Sequence, residues 1–128
     1  MTEHNPLLDP IDGSDHQMFA GCQIDVVPAG AGRIKRIIYP PGHRWSTAIK
    51  PLVGTELCQH NHVGFLASGS LTFEFPDGCV QEYVAPVAVA VTPGHDAYVV
   101  GEEPAVLVQI DFGADTNDRL GLPDAHTH

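Results

Sequence analysis

Apolar and polar residues alternate in short runs along most of this chain, and clusters of turn residues interrupt them. "SLTFEF" (70–75) is the clearest run: Leu71, Phe73 and Phe75 fall on one side, with Thr72 and Glu74 on the other. That period of two predicts a strand with one buried and one wet face. The same reading places strands at "QIDVV" (23–27), "RIKRIIY" (33–39), "RWSTAI" (44–49), "HVGFLAS" (62–68), "VQEYV" (80–84), "VAVAVT" (87–92), "DAYVV" (96–100) and "AVLVQIDF" (105–112). The interruptions carry turn chemistry: Pro28 with Gly30 and Gly32, "PPG" at 40–42, Gly69, "PDG" at 76–78 and "GEEP" at 101–104. No window of about 12 residues sustains a helical period. The chain is therefore expected to be all-β with little helix, an antiparallel sandwich or small barrel. "VAVAV" is apolar on both faces, which predicts an inner strand packed on both sides or a subunit interface.

The two ends lack this pattern. Residues 1–20 read as an extended N-terminal arm with little structure of its own, and 113–128 as a polar C-terminal tail. The barrel proper is expected over 21–112. At 128 residues this amounts to one domain.

Composition narrows the function classes. A net charge of −10 opposes nucleic acid and anionic membrane as partners, because both reward clustered lysine and arginine. The one basic cluster, "RIKR" (33–36), alternates with apolar residues and is expected on the solvent face of a strand. No apolar run approaches the roughly 20 residues a bilayer span needs. The N-terminus "MTEHNPLLDP" has no basic region followed by an apolar core, so a cytoplasmic protein is expected. Three cysteines, Cys22, Cys58 and Cys79, with no close pair, disfavour a disulfide framework or a zinc knuckle. There is no Ser-His-Asp arrangement and no phosphate-binding glycine loop.

Two histidines, a glycine turn, the "PDG" hairpin, an apolar strand and "TPGH" (92–95) follow one another in that order. This succession resembles the cupin family, over roughly residues 33–112. "PGHDAY" and "GEEP", with Trp45-Ser46, Lys50-Pro51 and Gly54-Thr55 upstream, are also similar to small single-domain bacterial cupins of undefined role. The resemblance implies a double-stranded β-helix, a jelly-roll-like antiparallel barrel whose mouth holds one divalent metal on three histidines and a glutamate. It also implies a small-molecule ligand and a homodimer. The first cupin motif fits in two registers. Counted from Gly54, His60 and His62 take the paired-histidine positions. Counted back from Gly69, His62 takes the glutamate position, and Glu56 and Cys58 take those of the histidine pair. In the second motif the family histidine would fall at Ala97, two residues after His95, but alternation puts 95 and 97 on one face.

Within that frame His60, His62 and His95 are the expected metal ligands, with Cys58 and Glu56 as alternatives beside His62. Period two places Glu56, Cys58, His60 and His62 on one face if the segment is a strand. Imidazoles plus water suit Zn, Fe, Ni or Mn. Outside that frame, such histidines are exposed strand residues and Cys58 is a small buried apolar group. His43 and Trp45 are expected to line the pocket, although Trp45 fits a core position equally well. Asp96 is either a brace for His95 or a surface turn residue. Two functions compete: a metal-dependent oxygenase- or isomerase-type enzyme acting on a small organic molecule, and a non-catalytic ligand-binding or sensor barrel. The lack of the motif glutamate favours the second. A metal-free structural barrel is a third reading.

Overall fold

The structure, a computed structural model, describes residues 5–58 and 60–123. Nine strands run antiparallel: β1 (Asp15–Phe19), β2 (Cys22–Ala29), β3 (Gly32–Tyr39), β4 (His62–Ser68), β5 (Ser70–Glu74), β6 (Val80–Val84), β7 (Val87–Val91), β8 (Asp96–Val99) and β9 (Ala105–Asp111). Six form one sheet in the order β1-β2-β3-β9-β4-β7, and three form a second in the order β6-β5-β8. The chain passes between sheets at Gly69, whose φ of 81° lies in the left-handed region. A Cβ there would sit 2.5 Å from the Pro104 carbonyl oxygen, so only glycine makes that corner unstrained. A register shift between Leu66 and Ser68 bends β4 just before it.

The core lies between the sheets. Leu66, Leu71, Phe73, Ala105 and Leu107 are fully buried there, and the alternation read in "SLTFEF" is what sends Leu71 and Phe73 inward. β7 is an edge strand, not an inner one: Val89 and Val91 are buried while Ala88 and Ala90 are exposed. Its apolar outer positions are only alanines, which pack little when left at a surface.

Two expectations about local structure need correcting. "RWSTAI" is not a strand: Arg44 bridges Tyr98, Trp45–Ala48 forms the short helix α1, and a second short helix, α2 (Lys50–Val53), follows it. The Asp96 carboxylate accepts bonds from the Ser46 amide at 3.0 Å and the Ser46 hydroxyl at 2.8 Å, which caps α1 from a distant strand. Trp45, Ile49 and Val53 recur every fourth residue and all face one cavity, a helical stripe too short to stand out in the sequence. Gly54, at φ 78°, ends α2 with its amide on the Lys50 carbonyl.

The second correction concerns the ends. The stretch expected as an unstructured arm contains β1 at the edge of the larger sheet, preceded by a single 3-10 turn at Pro6–Leu8. Asp25 on the outer face of β2 holds it: its carboxylate accepts bonds from the Ile11 amide, the Ser14 hydroxyl and His16 Nδ1, each at 2.9 Å, and from Arg36 Nη2 at 3.2 Å. Past β9 the chain forms a 3-10 turn and α3 (Thr116–Leu120). His126 and His128 lie outside the described residues. No helix among the described residues is long and apolar enough to cross a membrane.

Candidate metal centre and its cavity

The segment between α2 and β4 is not a strand, so the parity argument for residues 56–62 does not hold there. Cys58 instead forms an isolated antiparallel bridge with His95. The Cys58 amide donates to the His95 carbonyl at 2.8 Å, and the Gly94 amide donates back to the Cys58 carbonyl at 2.7 Å. This bridge sets Cys58 directly opposite His95. His62 arrives as the first residue of β4, paired with Val91 of β7.

One ligand atom each from Cys58, His62 and His95 lies within 4.8 Å of the others, and all three residues are buried. Each ring is fixed at its other nitrogen. His95 Nδ1–H donates to the Thr92 carbonyl at 2.8 Å, and His62 Nδ1–H donates to Gln109 Oε1 at 2.9 Å. Both rings thus turn an Nε2 lone pair away from the anchoring bond. His95 Nε2 is buried and has no hydrogen-bond partner among the described residues. Phe73 and Phe75 pack edge-on against the His95 ring, at centroid distances of 5.0 and 5.9 Å, and hold it in an apolar wall.

Burial sets the charge state of this cluster. Desolvation, with the neighbouring His95 ring, pulls His62 down to about 3. Desolvation takes His95 down to about 4 against the pull of the Thr92 bond. Both imidazoles are neutral at pH 7, as metal ligands must be. Burial pushes the Cys58 thiol up to about 11, partly opposed by the His60 amide and Lys35. Without a cation the sulfur is a thiol; a bound cation would favour the thiolate.

The other expected residues are placed as follows. His60 stands beside the trio, with Nδ1 4.0 Å from Cys58 Sγ, and faces the cavity. Glu56 points to solvent and pairs with Lys50 at 2.8 Å. Cys58 with His62 follows the register counted back from Gly69, without its Glu56. Asp96 braces α1, and its carboxylate accepts from Arg44 and from the Ala97 amide, each at 2.9 Å. His43 and Trp45 both line the cavity, which also carries Ala97, on the same parity as His95.

That cavity measures about 290 Å³ and its walls are mostly apolar. Its helical wall is Trp45, Ile49 and Val53, and its sheet wall includes Ile24, Ile37 and Tyr39. Cys58, His62 and His95 are part of its lining. His43 Nδ1 lies 3.6 Å from Cys22 Sγ, while its buried Nε2 has no partner among the described residues. Gln109 and Lys35 are among the lining residues that escaped the sequence reading. They are paired across β3 and β9 and both point inward. The "RIKR" run is consequently not a solvent face: Arg36 is buried on Asp25, and Lys35 enters the cavity.

The fold is matched by solved cupin structures. A cupin 2 conserved barrel domain protein from Salinispora arenicola superposes with a TM-score of 0.56 at 15% identity, over 89% of this chain and 94% of that one. The cupin domain of Schizosaccharomyces pombe Cnp3 gives 0.53 at 13% identity, over 88% and 78%. No protein-family model and no curated protein matches the chain.

Proposed function

We propose that this chain, which has the cupin fold, binds one divalent metal through Cys58, His62 and His95 and admits a small organic molecule to the adjoining cavity. The observation that carries the reading is at His95: its buried Nε2 has no partner among the described residues, and one of its ring nitrogens lies within 4.8 Å of the Cys58 sulfur and of a His62 ring nitrogen. A buried polar atom left unpaired in a native protein needs an explanation, and a cation supplies one. Ligand atoms on a tetrahedral zinc lie about 3.5 Å apart, so a small inward shift of Cys58 or His62 completes the site. A thiolate among the donors favours Zn, Fe or Ni over Mn. Three protein ligands leave a position for water or substrate, the arrangement of catalytic rather than closed structural sites.

The reaction class that fits is oxygenase- or isomerase-type chemistry on a small, largely apolar substrate, where the metal would act as Lewis acid or oxygen-binding centre. A non-catalytic sensor or binding barrel is the second reading. One observation favours it: among the described residues no aspartate or glutamate lines the cavity, so the site lacks a carboxylate acid/base. Oxygen uptake and substrate turnover across catechols, thiols and keto acids with metal-loaded protein separate the two. Cobalt loading tests the donor set itself. The expected result is a thiolate-to-cobalt charge-transfer band that vanishes in Cys58→Ser; its absence from wild type would remove Cys58 from the site.

We also propose that the protein acts in the cytoplasm as a homodimer. The outer face of β9, β4 and β7 exposes Phe65 and Ile110, flanked by Ala88 and Ala90, an apolar patch on which a second copy can pack. Light scattering of wild type and Phe65→Lys tests it, with a dimer expected only in the first.

A further inference from the structure

The chain carries six cationic side chains, all among the described residues. Five have partners. Arg33 binds Asp111, Arg36 binds Asp25, Arg44 binds Asp96 and lies over Tyr98, Lys50 binds Glu56, and Arg119 lies over Phe112. Lys35 alone has no ion pair and no ring partner among the described residues. It is also the cation that strand alternation sends inward, on the same face of β3 as Ile37 and Tyr39. It is half-buried where the apolar cavity meets a second, polar cavity.

This placement is unfavourable unless something offsets it. An ammonium beside apolar walls loses hydration, and in a chain of net charge −10 a surface partner would be easy to supply. The carboxylate that acts on Lys35, Asp111 in the lining of the polar cavity, is already bonded to Arg33, and the described lining of the apolar cavity contains no carboxylate. We propose that Lys35 is the counter-ion for the ligand: the cavity takes a compact apolar monoanion of the carboxylate type, its charge on Lys35 and its body against Trp45, Ile37 and Ile49. A cavity of 150 Å³ holds benzene, so about 290 Å³ suits one ring with a short substituent. A single lysine, with no arginine in the cavity lining and no glycine-rich loop, matches one negative charge better than a phosphate dianion. The inference rests on the cavity being a small-molecule site and is independent of any metal.

Trp45, the sole tryptophan, lines the cavity and reports occupancy by its fluorescence. The test titrates chelator-treated protein with benzoate, its neutral isostere benzamide, and benzylammonium. For wild type, benzoate should bind about tenfold tighter than benzamide, the worth of one charge-assisted hydrogen bond, and benzylammonium weakest. Lys35→Met keeps the stem and removes the charge, and should erase the preference while leaving benzamide affinity within about twofold. Arg33→Met, a cation outside the apolar cavity, should retain it. Equal binding of benzoate and benzamide by wild type, or a preference that survives in Lys35→Met, would overturn the proposal and leave the cavity as a site. No binding of any probe would overturn both.

Discussion

Replacing Asp25 with asparagine should be among the most destabilising single changes outside the core. The carboxylate has no exposed side-chain surface and accepts four bonds, from Ile11, Ser14, His16 and Arg36. An amide keeps the shape but turns an NH2 toward donors and leaves the buried Arg36 guanidinium without its counter-charge. Breaking a buried pair from one side costs about 3–5 kcal/mol. For a chain of this size about 4 °C of melting temperature follows each kcal/mol, so the drop should be about 12–20 °C. Calorimetry of wild type and Asp25→Asn at pH 7 measures it. The acid side gives a second signature. Burial alone would raise this carboxyl, but the Ile11, His16 and Ser14 bonds and the Arg36 charge outweigh it and hold it below the usual range. A depressed folded-state value contributes stability above the unfolded value, about 4, and loses it as pH falls below that. The gap between wild type and variant should therefore close between about pH 4 and the lower folded-state value. A drop under about 3 °C at pH 7, or a gap independent of pH, would refute the reasoning.

Other consequences follow from the same structure. Gly64→Ala should destabilise strongly, because its Cβ would collide with the Val108 carbonyl oxygen and Gln109 Cα on the neighbouring strand; chemical denaturation should show a loss of at least about 2 kcal/mol. Gly78→Ala, with nothing near the added Cβ, serves as its comparison and should lose only the modest cost of a left-handed alanine. Phe73→Ala should cost about 3–5 kcal/mol and loosen the His62 and His95 rings it touches, visible as weakened metal affinity beyond the stability loss. Zinc at a hundredfold excess over its dissociation constant should raise stability by about 2.7 kcal/mol, and the gain should disappear in Cys58→Ser. Binding should tighten as pH rises, since the thiol must release its proton to the solvent.

The strand pattern was legible because strand signals are local: β2 to β9 all fall on the runs that the sequence marks as strands. What was not legible depended on partners far along the chain. "RWSTAI" is rich in strand-compatible residues, yet Asp96, 50 positions away, caps it into α1. β1 shows little apolar alternation because all its residues are exposed, and Asp25 holds the segment before it. Cys58 and His95 meet through a backbone bridge that no spacing rule encodes. Lys35 sat in a basic run expected on a wet face, but it shares its side of β3 with Ile37 and Tyr39, which line the cavity. His62 was common to both registers of the first motif, and it is the residue whose place in the cluster was easiest to read.

Metal content tests the proposed site of Cys58, His62 and His95 most directly. Elemental analysis of protein purified without added metal should give about one equivalent of Zn, Fe or Ni in wild type and Glu56→Ala, and little in Cys58→Ala or His62→Ala. Substoichiometric metal in every variant, with a melting temperature that Zn, Fe, Mn and Ni leave unchanged, would contradict it.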